Sequence, residues 1–319
     1  MQKLLTQKYY ADKRRDTTAR TKALIALAWV SILWGTTWIA AKEGVRNMPA
    51  LQMVSIRQLL AGGLYLIYFL IKKETLPKGK QWRPILILSI LNFMLSNALS
   101  TWGVKYISSG LGSIIGAIFP LWVIIISMAG GKRIPAKALI GLLMGFGGIC
   151  IIFYDHLKDF INTDFTIGII LSVASTVAWA FGTLYTKQQA IHFNPYFSLG
   201  FQMFVSGIAL SFVAYSTNNT INIADIPSVS WWAMSYLVIF GSMITFASYI
   251  YALQNLPTTL TSVYAYINPI IAVILGSLIL NEKLSLFIAA GGAITLAGLY
   301  LVNNSFKIKS DKEIDEPHI

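Results

Sequence analysis

Apolar runs of about 20 residues recur along this chain from residue 23 to residue 302, and no other feature restricts its fold so tightly. One such run, wound as a helix, crosses a hydrocarbon core of ~30 Å. Lipid offers backbone N–H and C=O groups no partner, so runs this long and this apolar read as helices. Ten can be counted, over 23–41, 50–71, 84–104, 109–129, 136–154, 166–186, 195–215, 232–252, 258–279 and 285–302. A content of 55% hydrophobic and 12% charged residues stands far from the roughly 25% charged share of a soluble chain. The expected fold class is therefore all-α, a polytopic membrane protein. The first run has a basic front and an Ile39-Ala40-Ala41 end, like a signal peptide, but exceeds the usual h-region of about 7–15 residues.

The runs repeat in an ordered way. Leu111–Ile125 laid over Leu260–Ile274 is identical at Leu111/Leu260, Ser113/Ser262, Ile118/Ile267, Pro120/Pro269 and Ile125/Ile274. Gly141 and Gly148 then match Gly291 and Gly298, while Trp34 and Lys42 match Trp179 and Lys187. Such self-similarity is the mark of a duplicated unit. Five runs per unit is an odd number, so the second unit is expected upside down relative to the first. The predicted division is a basic cytoplasmic tail (1–22), a five-helix repeat (23–154), an external connection (155–165), a second five-helix repeat (166–303) and a cytoplasmic tail (304–319). Residues 1–20 and 305–319 are polar and charged without apolar periodicity, which predicts that they are unstructured.

Lysine and arginine set the orientation, since cytoplasmic loops carry their excess. With the amino terminus inside, nineteen of them fall on the cytoplasmic side and five outside, with Arg57 left within a run. The net charge of +12 thus suits anionic lipid, and no recognition motif beside it points to nucleic acid. Cys150 is the sole cysteine, which excludes a disulfide framework. His156, His192 and His318 show no metal-ligand or catalytic spacing, so neither a metal, a cofactor nor an enzymatic site is expected.

Arg57 is the most informative single residue. A guanidinium seven residues past the start of the second run costs at least ~2.5 kcal/mol in lipid and ordinarily faces a cavity or the bundle interior. No run holds an Asp or Glu to neutralise it. Two readings stand side by side: a structural clamp that snorkels or caps carbonyls, or a group that orients a carboxylate-bearing substrate. Trp34, Thr37 and Trp38 in the first run, and Trp179 and Thr183 in the sixth, combine aromatic faces with hydroxyls. They are candidate cavity residues, together with Asn97 and Trp102 in the third run, Tyr249 in the eighth, and Tyr266 and Asn268 in the ninth. Helix packing and interfacial anchoring account for the same residues equally well. Pro120 and Pro269 should kink the fourth and ninth runs at matching depth; packing and gating are alternative uses. The Gly112/Gly116 and Gly141/Gly145 spacings suggest close helix contact without defining an oligomer.

The chain resembles the drug/metabolite transporter superfamily, and within it the EamA-type carriers. The residues that carry the resemblance are Trp34-Gly35-Thr36-Thr37-Trp38 through Lys42, Pro49 with Arg57, the Ala252–Ser262 stretch, Asn268-Pro269, and Asn281-Glu282-Lys283-Leu284. It covers roughly residues 23–303. Arg133, where the pattern expects a glutamate matching Glu282, departs from it. The resemblance implies a secondary transporter of the cell membrane, an exporter of small metabolites such as amino acids, working by alternating access around a central cavity. A non-transporting sensor or assembly subunit, or an integral membrane enzyme, are the alternative readings. The expected partners are a small-molecule substrate and the bilayer; the oligomeric state is not defined by the sequence. In a cysteine-accessibility experiment on intact cells, positions in 72–83 and 131–137 should label from the same, cytoplasmic side. Labelling from opposite sides would overturn the inverted arrangement.

Overall fold

The computed structural model describes residues 2–131, 134–189, 193–256, 261 and 264–315, and no strand occurs among them. Eight helices there are long and apolar enough to cross a membrane. They are α1 (Gln2–Gly44, apolar from Thr18), α2 (Ala50–Ile71), α3 (Gly79–Tyr106), α4 (Ser109–Ala129), α5 (Ala136–Asp155), α6 (Thr163–Gln189), α7 (Pro195–Ser216) and α8 (Ser228–Asn255). Two shorter apolar helices follow, α9 (Tyr264–Leu280) and α10 (Leu286–Asp315, apolar to Val302). Most of the stretch expected to open the ninth run, 258–263, lies outside the described residues.

Large apolar side chains such as Ile67, Leu143, Phe212 and Leu278 point outward, forming the belt that lipid requires. Polar side chains, Arg57, Gln58, Ser206 and Ser242 among them, are buried instead. The tails correct the expectation drawn from their composition. Helix α1 already starts at Gln2 and α10 continues to Asp315, because extending an existing helix avoids the cost of nucleating one.

Glycines decide which helices touch along their backbones. At the α5–α10 crossing a Cβ on Gly141 would stand 2.5 Å from the Gly298 carbonyl oxygen, and one on Gly148 would run into the Gly291 carbonyl. At the α2–α7 crossing a Cβ on Gly62 would meet the Phe204 backbone nitrogen at 2.5 Å. The Gly112/Gly116 spacing works differently from expectation: it forms a notch for the Trp38 indole, 3.0 Å and 2.8 Å from the two Cβ positions, and seats no second helix. Helix α1 packs on α8 and α9, while α6 packs on α3 and α4.

Three membrane helices depart from α geometry. Helix α4 is interrupted at Ile118, after which Pro120 falls in the first turn of the resumed helix, where its missing N–H is harmless. Helix α9 instead carries Pro269 within a continuous helix, so the two matched prolines do not produce matched breaks. Both α3 and α8 contain π-helical stretches, Ser89–Asn97 and Leu237–Ile244. A Gly148→Val substitution should destabilise the α5–α10 crossing by about 1–3 kcal/mol, the usual cost of overpacking. Gly147→Val, at a position with open space around it, is the control; equal thermal unfolding of the two variants in detergent would refute the backbone-contact account.

Candidate functional site

The centre of the bundle holds a cavity of about 160 Å³ to which α1, α2, α3, α4, α6, α8 and α9 all contribute. Seven of the sequence-derived candidates line it: Trp34, Thr37, Trp38, Arg57, Asn97, Trp179 and Asn268. A second cavity, of about 250 Å³, takes in Thr183 and Tyr249 with Asn92 and Gln202. Trp179 and Phe246 belong to both walls. Two candidates line neither. Trp102 packs into apolar clusters with Val104 and Ala98, and Tyr266 donates its hydroxyl to the Leu299 carbonyl at 2.7 Å.

Arg57 is 5% exposed and neither snorkels nor caps carbonyls. Its Nε donates to Ser242 Oγ at 2.9 Å and a terminal nitrogen, Nη1, donates to Asn97 Oδ1 at 3.2 Å. Both acceptors are neutral. Among the described residues the ion pairs are Arg46–Glu43 and His156–Asp159, so no carboxylate reaches Arg57. The lining contains no other charge.

The hydroxyls around it share one habit. Thr37, Ser113, Ser175 and Thr176 each donate to a carbonyl three residues earlier in their own helix, at 2.6–2.8 Å. A hydroxyl has one hydrogen, so what these groups turn to the cavity is acceptor lone pairs. The wall therefore offers one cation and, from these hydroxyls, several neutral acceptors. Aromatic faces supply the rest. Trp34 lies 5.2 Å from Phe246, 5.1 Å from Tyr249 and 5.1 Å from Tyr264, and Trp179 stands edge-on to it at 6.1 Å. With its amide turned to satisfy its neighbours, Asn268 donates to the carbonyls of Ser31 (2.7 Å) and Tyr264 (3.2 Å), joining α9 to α1. Among the described residues no three His, Cys, Asp or Glu side chains converge, so no metal ligand set is present there.

A charged brace holds the α3–α4 connection at one end of the bundle. Lys42 Nζ donates to the carbonyls of Val104, Lys105 and Ile107 at 2.9, 3.0 and 2.7 Å. Glu282, from the α9–α10 connection, accepts from Ser109 N (2.7 Å), Ser109 Oγ (2.8 Å) and Gly110 N (3.2 Å). Cation on helix C-terminus and anion on helix N-terminus match the helix dipoles. Gly276 leaves the space for the carboxylate, since a Cβ there would lie 2.5 Å from Glu282 Oε2. Arg133, the residue matched to Glu282 in the first unit, lies outside the described residues.

Several lining residues escaped sequence reasoning. Ser96, Ser100 and Thr101 line the cavity beside Asn97, and their spacing is a polar stripe at helical period that a reading of α3 alone reveals. Phe246 on the wall, and Ser242, which lines neither cavity but bonds Arg57, carried no such signal, being ordinary residues in an apolar run.

The fold and the site together define an all-helical, multi-pass membrane protein enclosing a polar, aromatic-walled chamber. The model of the EamA-like transporter family matches residues 21–154 and again 166–304, and the chain belongs to that family. It is similar to the uncharacterized inner membrane transporter YedA of Escherichia coli, 28% identical over 262 residues, covering 82% of this chain and 83% of that one. It is also similar to the uncharacterized transporter YvbV of Bacillus subtilis, 25% identical over 294 residues, covering 90% and 93%. A solved crystal structure has the same fold, with a TM-score of 0.65 at 16% identity over 89% of this chain and 97% of that one. The protein is thus a membrane transporter of the EamA-like family.

Replacing Glu282 with Ala should unpin the start of α4 and cost about 1–3 kcal/mol, the range for losing hydrogen bonds to a charged group. Thermal unfolding in detergent measures it. A Trp102→Phe variant should leave ligand binding unchanged where Trp38→Phe weakens it; equal effects would contradict the placement of these two side chains.

Proposed function

We infer that the chain is a secondary carrier of small carboxylate-bearing metabolites, amino acids foremost, working by alternating access around the central cavity. The observation that carries this reading is Arg57, a buried cation on the cavity wall held only by neutral groups. The hydroxyl acceptors on the same cavity lining favour a zwitterion over a simple anion.

The architecture in this proposal is ten spans in two inverted five-helix repeats, 23–154 and 166–303. Two features support it. The family model matches twice, and the packing pairs like with like: α5 with α10 and α2 with α7, while α1 meets α8 and α9 as α6 meets α3 and α4. Those are the contacts expected of two repeats related by a pseudo-two-fold axis, with substrate where they meet. Both tails, 1–22 and 304–319, then lie in the cytoplasm, as the lysine and arginine bias favours. An inner-membrane location agrees with the naming of YedA, and the outward direction of transport is taken from the family resemblance. Pro120 and the interruption at Ile118 are the element proposed to flex during gating, with Pro269 as its counterpart.

Flux into and out of proteoliposomes, screened over amino acids, other organic acids and cationic drugs with and without a pH gradient, tests the proposal. Arg57→Gln should lower carboxylate flux about 10- to 100-fold, the equivalent of one charge-assisted hydrogen bond, and spare cations. No flux of any class by well-folded protein would defeat the carrier reading. Unaltered carboxylate flux in Arg57→Gln would defeat the role assigned to the cavity.

A further inference from the structure

Arg57 links the two π-helical stretches. Asn97 closes the one in α3 and Ser242 sits inside the one in α8. π-Helical turns are rare, poorly bonded departures from α geometry that recur at functional sites, and this pair persists only as far as neighbouring side chains hold it.

The α8 stretch shows how that is done. Trp34 Nε1 donates to the Gly241 carbonyl at 3.4 Å, Tyr65 Oη donates to the Met243 carbonyl at 2.7 Å, and Arg57 Nε takes Ser242 Oγ. Gly241 presses close, since a Cβ there would stand 3.3 Å from the Arg57 Nη2 atom and 3.0 Å from Thr37 Cγ2. These three props come from α1 and α2, so the turn is held from across the bundle, besides the bond that Thr245 Oγ1 gives the Phe240 carbonyl within α8.

A carboxylate binds a guanidinium best through two parallel hydrogen bonds along one edge of the fork. The edge formed by Nε and Nη2 is the one Ser242 now occupies, with a single Nε hydrogen to give. A neutral hydroxyl is the weaker acceptor of the two. Resting on the reading that Arg57 receives the substrate's carboxylate, we propose that the carboxylate displaces Ser242 from Arg57 Nε and thereby releases the Leu237–Ile244 turn, coupling occupancy of the cavity to movement of α8. Ser242 is in this account a positioning residue: it holds Arg57 and α8 together in the empty carrier and lets go in the loaded one.

The full-length protein in nanodiscs, probed with benzoate and its uncharged isostere benzamide, tests the idea. Quenching of the cavity tryptophans reports binding, and hydrogen–deuterium exchange reports the 237–244 amides. Benzoate, and not benzamide, should accelerate exchange there. Ser242→Ala removes the competing acceptor. Exchange should then be fast without ligand, benzoate should bind about three- to tenfold tighter, and flux should show a lower KM with a lower turnover; Ser242→Thr should restore wild-type behaviour. A merely structural serine would weaken binding when removed. Asn97→Asp supplies a carboxylate at Nη1, away from the Nε edge, and should lower benzoate affinity at least about tenfold by neutralising the guanidinium. Benzoate binding that leaves the 237–244 exchange unchanged, or weaker binding in folded Ser242→Ala, overturns the release mechanism while leaving the anion site intact. Benzoate binding no better than benzamide overturns the anion site itself.

Discussion

A backbone in hydrocarbon has no solvent to bond to, and two places where this chain leaves regular helix, the α3–α4 connection and the π turn of α8, are propped by side chains from elsewhere in the bundle. The α3–α4 connection has Lys42 on its carbonyls and Glu282 on its amides. The π turn of α8 has Trp34, Tyr65 and Arg57. Within α8 itself, Thr245 Oγ1 donates to the Phe240 carbonyl at 2.5 Å. Irregularity is thus concentrated in α3, α4 and α8, which also line the central cavity. The regular helices α5, α7 and α10 stay outside it, with α2 contributing only Arg57.

Burying a guanidinium among neutral groups is costly, and neutral dipoles offset only part of the lost hydration. Pairing Arg57 with an acid would have relieved that cost and cancelled the charge. The bundle instead uses a hydroxyl and an amide, which fix the fork in place and leave its field standing in the cavity. The guanidinium is thus fixed in position while its charge stays unpaired by any acid among the described residues.

Much of the architecture was legible because lipid writes a coarse rule into the sequence: apolar runs of spanning length are helices, whatever their neighbours do. The cavity was half legible for the same reason. Arg57, Asn97 and Asn268 stand out where everything around them is apolar. Trp102 and Tyr266 could not be placed from sequence, because an aromatic ring signals apolar packing and a wet wall equally well; in the structure they contact Val104 and Leu299. The helical tails were hidden because composition describes an isolated segment, whereas α1 and α10 extend helices that already exist. Ser242 and the π turns were invisible, since i→i+5 bonding changes no residue type and a lone serine in a membrane helix ordinarily bonds its own backbone.

The wall shared by the two cavities has a consequence of its own. Trp179 and Phe246 have a chamber on either side, so neither ring can swing to enlarge one without narrowing the other. A change of side chain at either position therefore reshapes both chambers at once.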